Sequence, residues 1–496
     1  MKLQFPRTAK NWLSVIGSVI AVISFFMIVF ISAISMFFGG GAYLGIIVYI
    51  LLPGILIIGL LLIPIGMLRQ RKRIAEEPPW PYVDLNKSTH RNAFFVFTIG
   101  TVIFLFMTAI GSYEAFQFTE SVEFCGKVCH SVMKPEYTAY QHSPHARVPC
   151  VDCHVGEGAD WYVRSKLSGL YQVYSVTFEK YPRPIPTPIH NLRPSREICE
   201  KCHWPQKFYA HQLRTEYHYQ SDENNTRWQI KLNMKIGAEH QAEGLKEGIH
   251  WHINPDIKVQ YYAADEAREE LPWVRYINLE TGDTLVYQDT MSDLDADTIP
   301  TAEIRTMECI DCHNRPSHQY QPPAFFVDEA LTAGSIPKAL PGIKALSMEI
   351  CAEEYASMEI AMQAIDSTIT AHYDANYPQI VRDNSRLIDQ AVRGLQEAFG
   401  ENIFPRMKVR WSAFPNHIGH MEFEGCFRCH DGQHVTTDDQ PISRDCNLCH
   451  NINAQGTDDN LQMATLDNPL EFEHPVDIGG AWEMMLCTEC HTGLSP

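Results

Sequence analysis

Three long apolar runs near the N-terminus and seven Cys–His motifs in an acid-rich remainder predict a membrane-anchored multihaem cytochrome. The expected architecture is three transmembrane helices followed by a mainly α, loop-rich, haem-packed extracytoplasmic region with a small β insertion.

The apolar runs are Trp12–Phe38, Tyr43–Leu68 and Ala93–Phe118. Each exceeds the roughly 20 residues needed to cross a bilayer core. The first is longer than the apolar stretch of a signal peptide, about 7–15 residues, and no clear cleavage pattern follows it. It reads as an uncleaved helix. Lys2, Arg7 and Lys10 precede the first run, and Arg69, Arg71, Lys72, Arg73, Lys87 and Arg91 lie between the second and third. The first loop, around Gly39–Gly41, is uncharged. The positive-inside rule puts the N-terminus and the 69–91 loop in the cytoplasm. Everything after about residue 119 is then outside, which for a bacterial inner membrane is the periplasm.

Charge divides the same way. Residues 1–118 hold 9 Lys+Arg and 4 Asp+Glu, and the remainder holds 31 and 55. A basic face for nucleic acid is missing. No phosphate-binding loop, nucleotide fingerprint or hydrolase triad is present either.

The motifs are Cys125/Cys129/His130, Cys150/Cys153/His154, Cys199/Cys202/His203, Cys309/Cys312/His313, Cys426/Cys429/His430, Cys446/Cys449/His450 and Cys487/Cys490/His491. Two thiols must sit about one turn apart to reach the two vinyl groups of one haem, and the adjoining histidine then lies beneath the iron. Zinc sites and disulfides also use paired cysteines. Neither needs a histidine directly after the second cysteine, and here it recurs seven times. The first motif carries one extra intervening residue. Cys351, the fifteenth cysteine, has no histidine after it and reads as a buried thiol in a helix.

Each iron also takes a sixth ligand, and fourteen further histidines lie on the outer side. Candidates by position are His145, His190, His318, His417, His420, His434 and His474, with one of His250 and His252, His252 being preferred. Met133 is the candidate for the first haem, where a thioether would raise the potential. No histidine lies inside the three apolar runs. A bilayer-embedded b-type haem therefore has no ligands, and all redox centres fall on one side.

The linked set CGKVCHSVMKPEYTAYQHSPHARVPCVDCHVG, SKLSGLYQ and TPIHNLRPSREICEKCHWP resembles the NapC/NirT family of membrane quinol dehydrogenases over roughly residues 92–320. The full layout is similar to that of seven-haem inner-membrane cytochromes from metal-reducing bacteria. The resemblance implies oxidation of menaquinol beside the first haem and onward transfer to periplasmic redox partners in anaerobic respiration. It maps a haem-associated methionine onto Met133, a quinol-binding lysine onto Lys166, and an acid position onto Gln172. It maps distal ligands onto His145, His190 and His318. Alternatives are an electron-relay subunit of a larger membrane complex, or a periplasmic terminal reductase of nitrite or a similar oxyanion. A reductase needs an open iron, and the lysine-type motif CxxCK does not occur.

The expected domains are a membrane anchor at 1–118, a four-haem part at 119–320 with a β insertion at about 204–300, a helical connector at 321–410 and a three-haem part at 411–496. Within the insertion, alternation at Trp228–Ile236 predicts a strand, and Trp273–Asn278 with Thr284–Tyr287 predicts a hairpin about Thr281-Gly282-Asp283. Residues 345–400 read as two helices, the second starting near Pro378.

Seven covalent haems per chain are expected. A denaturing haem determination on matured protein checks this, and six or fewer would count against it. Cys351→Ser should leave the number unchanged.

Overall fold

The protein is described by a computed structural model covering residues 7–9, 11–38, 52–73, 84–128, 130–156, 159–188, 193–204, 208, 211–237, 248–466 and 468–494. These residues form two compact units, one of residues 1–133 with 149–151 and one of 134–148 with 152–496.

The first unit contains the three spans, α1 (Trp12–Phe38), α2 (Leu52–Arg73) and α3 (Ser88–Glu120). All three are long and apolar enough to cross a membrane. Helices α1 and α2 approach closely because small residues face each other. A side chain on Gly17 would meet the Gly59 carbonyl at 2.6 Å, and one on Gly59 would meet the Gly17 carbonyl at 2.9 Å. Between lipid-soluble helices there is no hydrophobic drive to associate, so such backbone contact and interhelical hydrogen bonds hold them together. Ser14 supplies one bond, its hydroxyl donating to the Ile63 carbonyl at 3.0 Å.

The second unit has a helical core and two antiparallel sheets. After α4 (His130–Gln141), the short α5 (Cys150–His154), α6 (Ala159–Thr177) and the short α7 (Ser195–Cys199), the chain turns to strands. These are β1 (His211–Tyr219), β2 (Arg227–Lys235), β3 (Ile257–Tyr262), β4 (Trp273–Asn278), β5 (Thr284–Asp289) and β6 (Arg305–Thr306). The expected strand about Trp228 is β2, and the expected hairpin is β4–β5, paired from Trp273↔Gln288 to Ile277↔Thr284.

The insertion does not stand alone. Strands β7 (His434–Val435), β8 (His450–Thr457) and β9 (Leu461–Met463) come from the C-terminal region. One sheet runs β1-β2-β8-β9 and the other β6-β3-β4-β5-β7. Both therefore cross the expected boundary between the insertion and residues 411–496.

Between the sheet-forming segments lie α8 (Cys309–Cys312), α9 (Pro323–Ala333), α10 (Ile343–Ala352), α11 (Met358–Asn376) and α12 (Pro378–Asn402). Pro378 does open a helix, where its missing N–H costs nothing. The expected connector holds the main apolar core, including Val327, Ile336, Leu340, Ile365, Ile369, Leu395 and Phe399. Cys351 is buried there, and burial raises its thiol pKa to about 12. Lys344 is wholly buried in the same core, its ammonium donating to Asp328 at 2.6 Å and to the Ala324 carbonyl at 3.0 Å.

Removing one partner of a buried ion pair strands the other charge, at a cost of about 3–5 kcal/mol. Asp328→Ala should accordingly lower the thermal transition of the detergent-solubilised chain, whereas a surface change such as Glu354→Ala should not. Equal transitions in the two variants would show that the pair carries no such weight.

Candidate haem sites

Each described motif occupies a tight turn that fixes the histidine one turn beyond its first cysteine. The amide of His203 donates to the Cys199 carbonyl at 2.8 Å, with equivalent bonds for His313 to Cys309 (2.8 Å), His430 to Cys426 (3.1 Å) and His491 to Cys487 (2.8 Å). The first motif differs in the way its extra residue demands: Phe124–Val128 winds as a π-helix, whose wider turn absorbs one more residue. Cys129 and His190 lie outside the described residues.

The second cysteines differ in their surroundings. Cys153 is half-buried on the short helix α5, between Cys150 and His154. Cys202 and Cys490 are exposed instead, although the amide of each donates to the carbonyl of its motif's first cysteine at 3.1 Å. The backbone turn thus repeats while the surroundings of the thiol do not. Cys312 and Cys429 lie where the fourth and fifth motifs pack together, and burial takes both thiols up to about 12. Spacing alone could not tell the exposed thiols from the covered ones.

The histidine rings meet in pairs. Among the described residues six pairs have centroids 5.9–6.3 Å apart: His154/His318, His203/His145, His313/His250, His430/His252, His450/His420 and His491/His474. Every pair joins one motif histidine to one that is not in a motif. An iron held axially by two imidazoles, with metal–nitrogen bonds of about 2 Å, separates the ring centroids by about 6 Å. The spacing thus fits one haem iron per pair, and each described motif also supplies thiols for its attachment.

Hydrogen bonds at Nδ1 aim several rings. The Nδ1 of His250 donates to the Ile236 carbonyl at 2.7 Å and that of His252 to Ile249 at 2.8 Å. His318 is bonded to Glu136 at 3.0 Å, His145 to Pro316 at 3.2 Å and His430 to Ser443 at 2.7 Å, all through the same ring atom. A carbonyl can only accept, so Nδ1 carries the proton and the bare lone pair belongs to Nε2. This is the arrangement that outer partners impose on metal-binding histidines. Burial favours the neutral form of two rings: it lowers the pKa of His154, with a further contribution from His318, and takes His450 down to about 4.

Two expectations about ligands are corrected. His250 and His252 are not alternatives, because each faces a different motif ring. His434 is not a ligand candidate in this fold. Its Nδ1 bonds Asp431 at 3.0 Å and its Nε2 bonds the Leu271 carbonyl at 2.8 Å. Both partners are acceptors, so neither nitrogen keeps a free lone pair. Burial opposes the charged form, but those bonds and Asp431 outweigh it and raise the pKa. His417 is buried against the fourth motif, with Nδ1 bonded to the Asp311 carbonyl at 3.1 Å, and faces no motif histidine in the six pairs. Sequence spacing could not separate these cases, since each candidate sits near some motif.

Successive motifs touch. The thiols of Cys125 and Cys150 lie close enough to perturb each other, as do those of Cys199 and Cys309. Glu308, beside the fourth motif, accepts from the Ser195 amide at 3.0 Å and hydroxyl at 2.8 Å, just before the third. Arg428 of the fifth motif donates to the Asp311 carbonyl of the fourth at 2.9 Å. His420, which faces the sixth motif's ring, lies 3.9 Å from the Cys487 sulfur of the seventh.

Met133 lies in α4, one turn after His130. Lys166 and Gln172 are both on α6, but six residues apart they point about 120° from each other. The structure therefore does not put them on one helix face.

The N-terminal region of the NapC/NirT cytochrome c family matches residues 86–184. The cytochrome c-type protein ImcH of Geobacter sulfurreducens is 44% identical over 487 residues, covering 97% of this chain and 95% of that protein. The chain belongs to the ImcH-type c-type cytochromes. NrfH, a cytochrome c-type protein of Wolinella succinogenes, is 29% identical over 111 residues, 22% of this chain and 61% of NrfH. No solved structure matches. Membership brings covalently bound haem c and membrane electron transfer to a chain whose thiols and imidazoles fit that group.

Proposed function

We propose that this ImcH-type cytochrome is a quinol dehydrogenase and electron conduit of the bacterial inner membrane. It oxidises menaquinol at the outer surface and delivers electrons through seven haems c to a periplasmic cytochrome in anaerobic or extracellular respiration. The N-terminus is cytoplasmic and the motif-bearing region periplasmic.

The observation that carries the reading is the set of six motif–distal imidazole pairs. Haem c supplies one-electron redox chemistry when bound. The motif cysteines, the exposed Cys202 and Cys490 and the half-buried Cys153 among them, would hold it by thioether bonds. His318, His145, His250, His252, His420 and His474 would each close the sixth position opposite motifs two to seven, and Met133 is the candidate opposite the first. A terminal reductase would leave a position open for its substrate, and these pairs leave none. Lys166 would hold a quinol oxygen by hydrogen bond and orient the ring. Gln172 carries an amide and cannot act as the base; the two protons of each quinol are released on the outer side while its two electrons enter the haem chain. The surplus of Asp and Glu outside the membrane favours a basic soluble partner.

A quinol-driven dye-reduction assay on the isolated chain tests the reading directly, because a mere relay subunit would show no turnover. Lys166→Ala should slow that turnover with haem content intact, and unchanged turnover would remove Lys166 from the site. His252→Met should leave the haem number unchanged while one bis-histidine electron paramagnetic resonance signal is lost and one potential rises. An unaltered spectrum would take His252 off the iron. Electron transfer to a basic partner should slow as salt rises, since steering is screened beyond about 8 Å at physiological ionic strength. A flat salt profile would exclude charge-guided docking.

A further inference from the structure

Helix α6 presents its apolar side outward. Leu167 (65% exposed), Leu170 (69%), Tyr171 (66%) and Tyr174 (44%), with Phe178 (61%) one residue past the helix end, fall at positions i, i+3, i+4, i+7 and i+11. That spacing gathers them into one stripe about 100° wide. The side opposite carries Ser165, Gly169, Gln172 and Val176, and the buried Ser175 lies on the flank. A helix packed on a soluble protein would be the other way round, with its aromatic and leucine side chains inside. A contiguous apolar patch of this kind marks an interaction surface.

Its charged neighbours indicate which surface. Arg164 stands over the Trp161 ring at the start of the helix, 5.3 Å from its centroid. Beyond its end, Lys180 donates to the Tyr174 hydroxyl at 2.8 Å, and Arg183 donates to that of Tyr181 at 3.1 Å. Aromatic rings paired with cations at the rim of an apolar stripe match the boundary between headgroups and acyl chains. These cations also stand out locally, since residues 119–496 hold 31 Lys+Arg against 55 Asp+Glu. An anionic membrane would repel most of the outer region and attract this segment.

We propose that α6 lies in the outer headgroup layer of the membrane crossed by the three spans, with its apolar stripe toward the acyl chains and Arg164, Lys180 and Arg183 against anionic headgroups. The proposal rests on the membrane anchor and not on quinol chemistry, so either can fail without the other.

The test uses the full haem-loaded chain in nanodiscs of phosphatidylethanolamine and phosphatidylglycerol bearing an acyl-chain diazirine. After irradiation, trypsin cleaves behind Lys166 and Lys180 and releases the stripe as a single peptide. That peptide should carry lipid adducts, as the three spans must, and hydroxyl-radical footprinting should find Tyr171 and Phe178 protected. In the variant Leu167→Ser, Leu170→Ser, Phe178→Ser, adducts on this peptide should fall severalfold and protection should be lost, with haem content unchanged. If that variant does not mature, the unmodified chain still decides the matter. Labelled spans with an unlabelled stripe overturn the proposal. Oxidised Tyr171 and Phe178 would then mean a stripe bare in water, and protected ones a stripe covered by protein or haem.

Discussion

The motif-bearing region depends on one recurring constraint, a gap of about 6 Å between two imidazoles that must be held by protein on both sides. On one side the histidine is fixed by the turn that carries its two cysteines, through a backbone bond to the first of them. On the other it comes from outside the motif, 17 to 178 residues away along the chain, and in five of the six pairs a carbonyl at Nδ1 orients it. The second histidine of His252/His430 lies 178 residues from the first, so the ring pair constrains long-range topology as strongly as a core contact does. The loops are irregular because their geometry serves the ring positions rather than a repeating ladder.

The same constraint accounts for the order of the sites. His250 and His252 are two residues apart and face the fourth and fifth motif rings respectively. Those two sites are therefore bound together by a single short segment. Arg428 ties the same two motifs a second time through the Asp311 carbonyl. Asp311 is itself held by Tyr261 at 2.6 Å and Arg268 at 2.7 Å, so the junction is a satisfied polar network rather than a loose seam. Contacts between the third and fourth motifs and between the sixth and seventh sites extend the series. Where contacts are seen, they join motifs that are consecutive in the sequence, the arrangement a short-hop electron path needs.

The sequence was most legible where the chemistry is local. Cysteine spacing marked the candidate motifs, apolar length marked the three candidate spans, and alternation at Trp228 and the Thr281-Gly282-Asp283 turn located β2 and the β4–β5 hairpin. It was least legible where partners are remote. Nothing near His434 in the sequence reveals that Leu271 will occupy its second nitrogen, and proximity to two motifs made it look available. The exposure of Cys202 and Cys490 is hidden for the same reason, because what covers a thiol comes from elsewhere in the chain. Likewise β2 reads as part of an insertion, yet its partner β8 begins at His450, a motif histidine. The pairing Met234↔His450 joins them only after the chain has returned. The expected connector was legible as helices but not as the main core, because amphipathic periodicity gives the buried face without saying how much will be packed against it.

That core explains how so loop-rich a region can be stably folded. Helices α9 to α12 and the turn between the first two bury Ile336, Leu340, Ile365, Ile369, Leu395 and Phe399 in one cluster that includes none of the paired histidines. The sheets add two smaller clusters, one about Tyr261 and Val274 and the other about Trp228 and Ile452. Trp411 and Tyr219 belong to the helical cluster, carrying it to the start of the C-terminal motifs on one side and to β1 on the other. The ring pairs are thus hung on a scaffold whose stability has a separate source. A ligand imidazole can be changed without dissolving the core, and a core residue can be changed without touching an imidazole. The two kinds of substitution therefore report on different properties, electronic state in one case and folded population in the other.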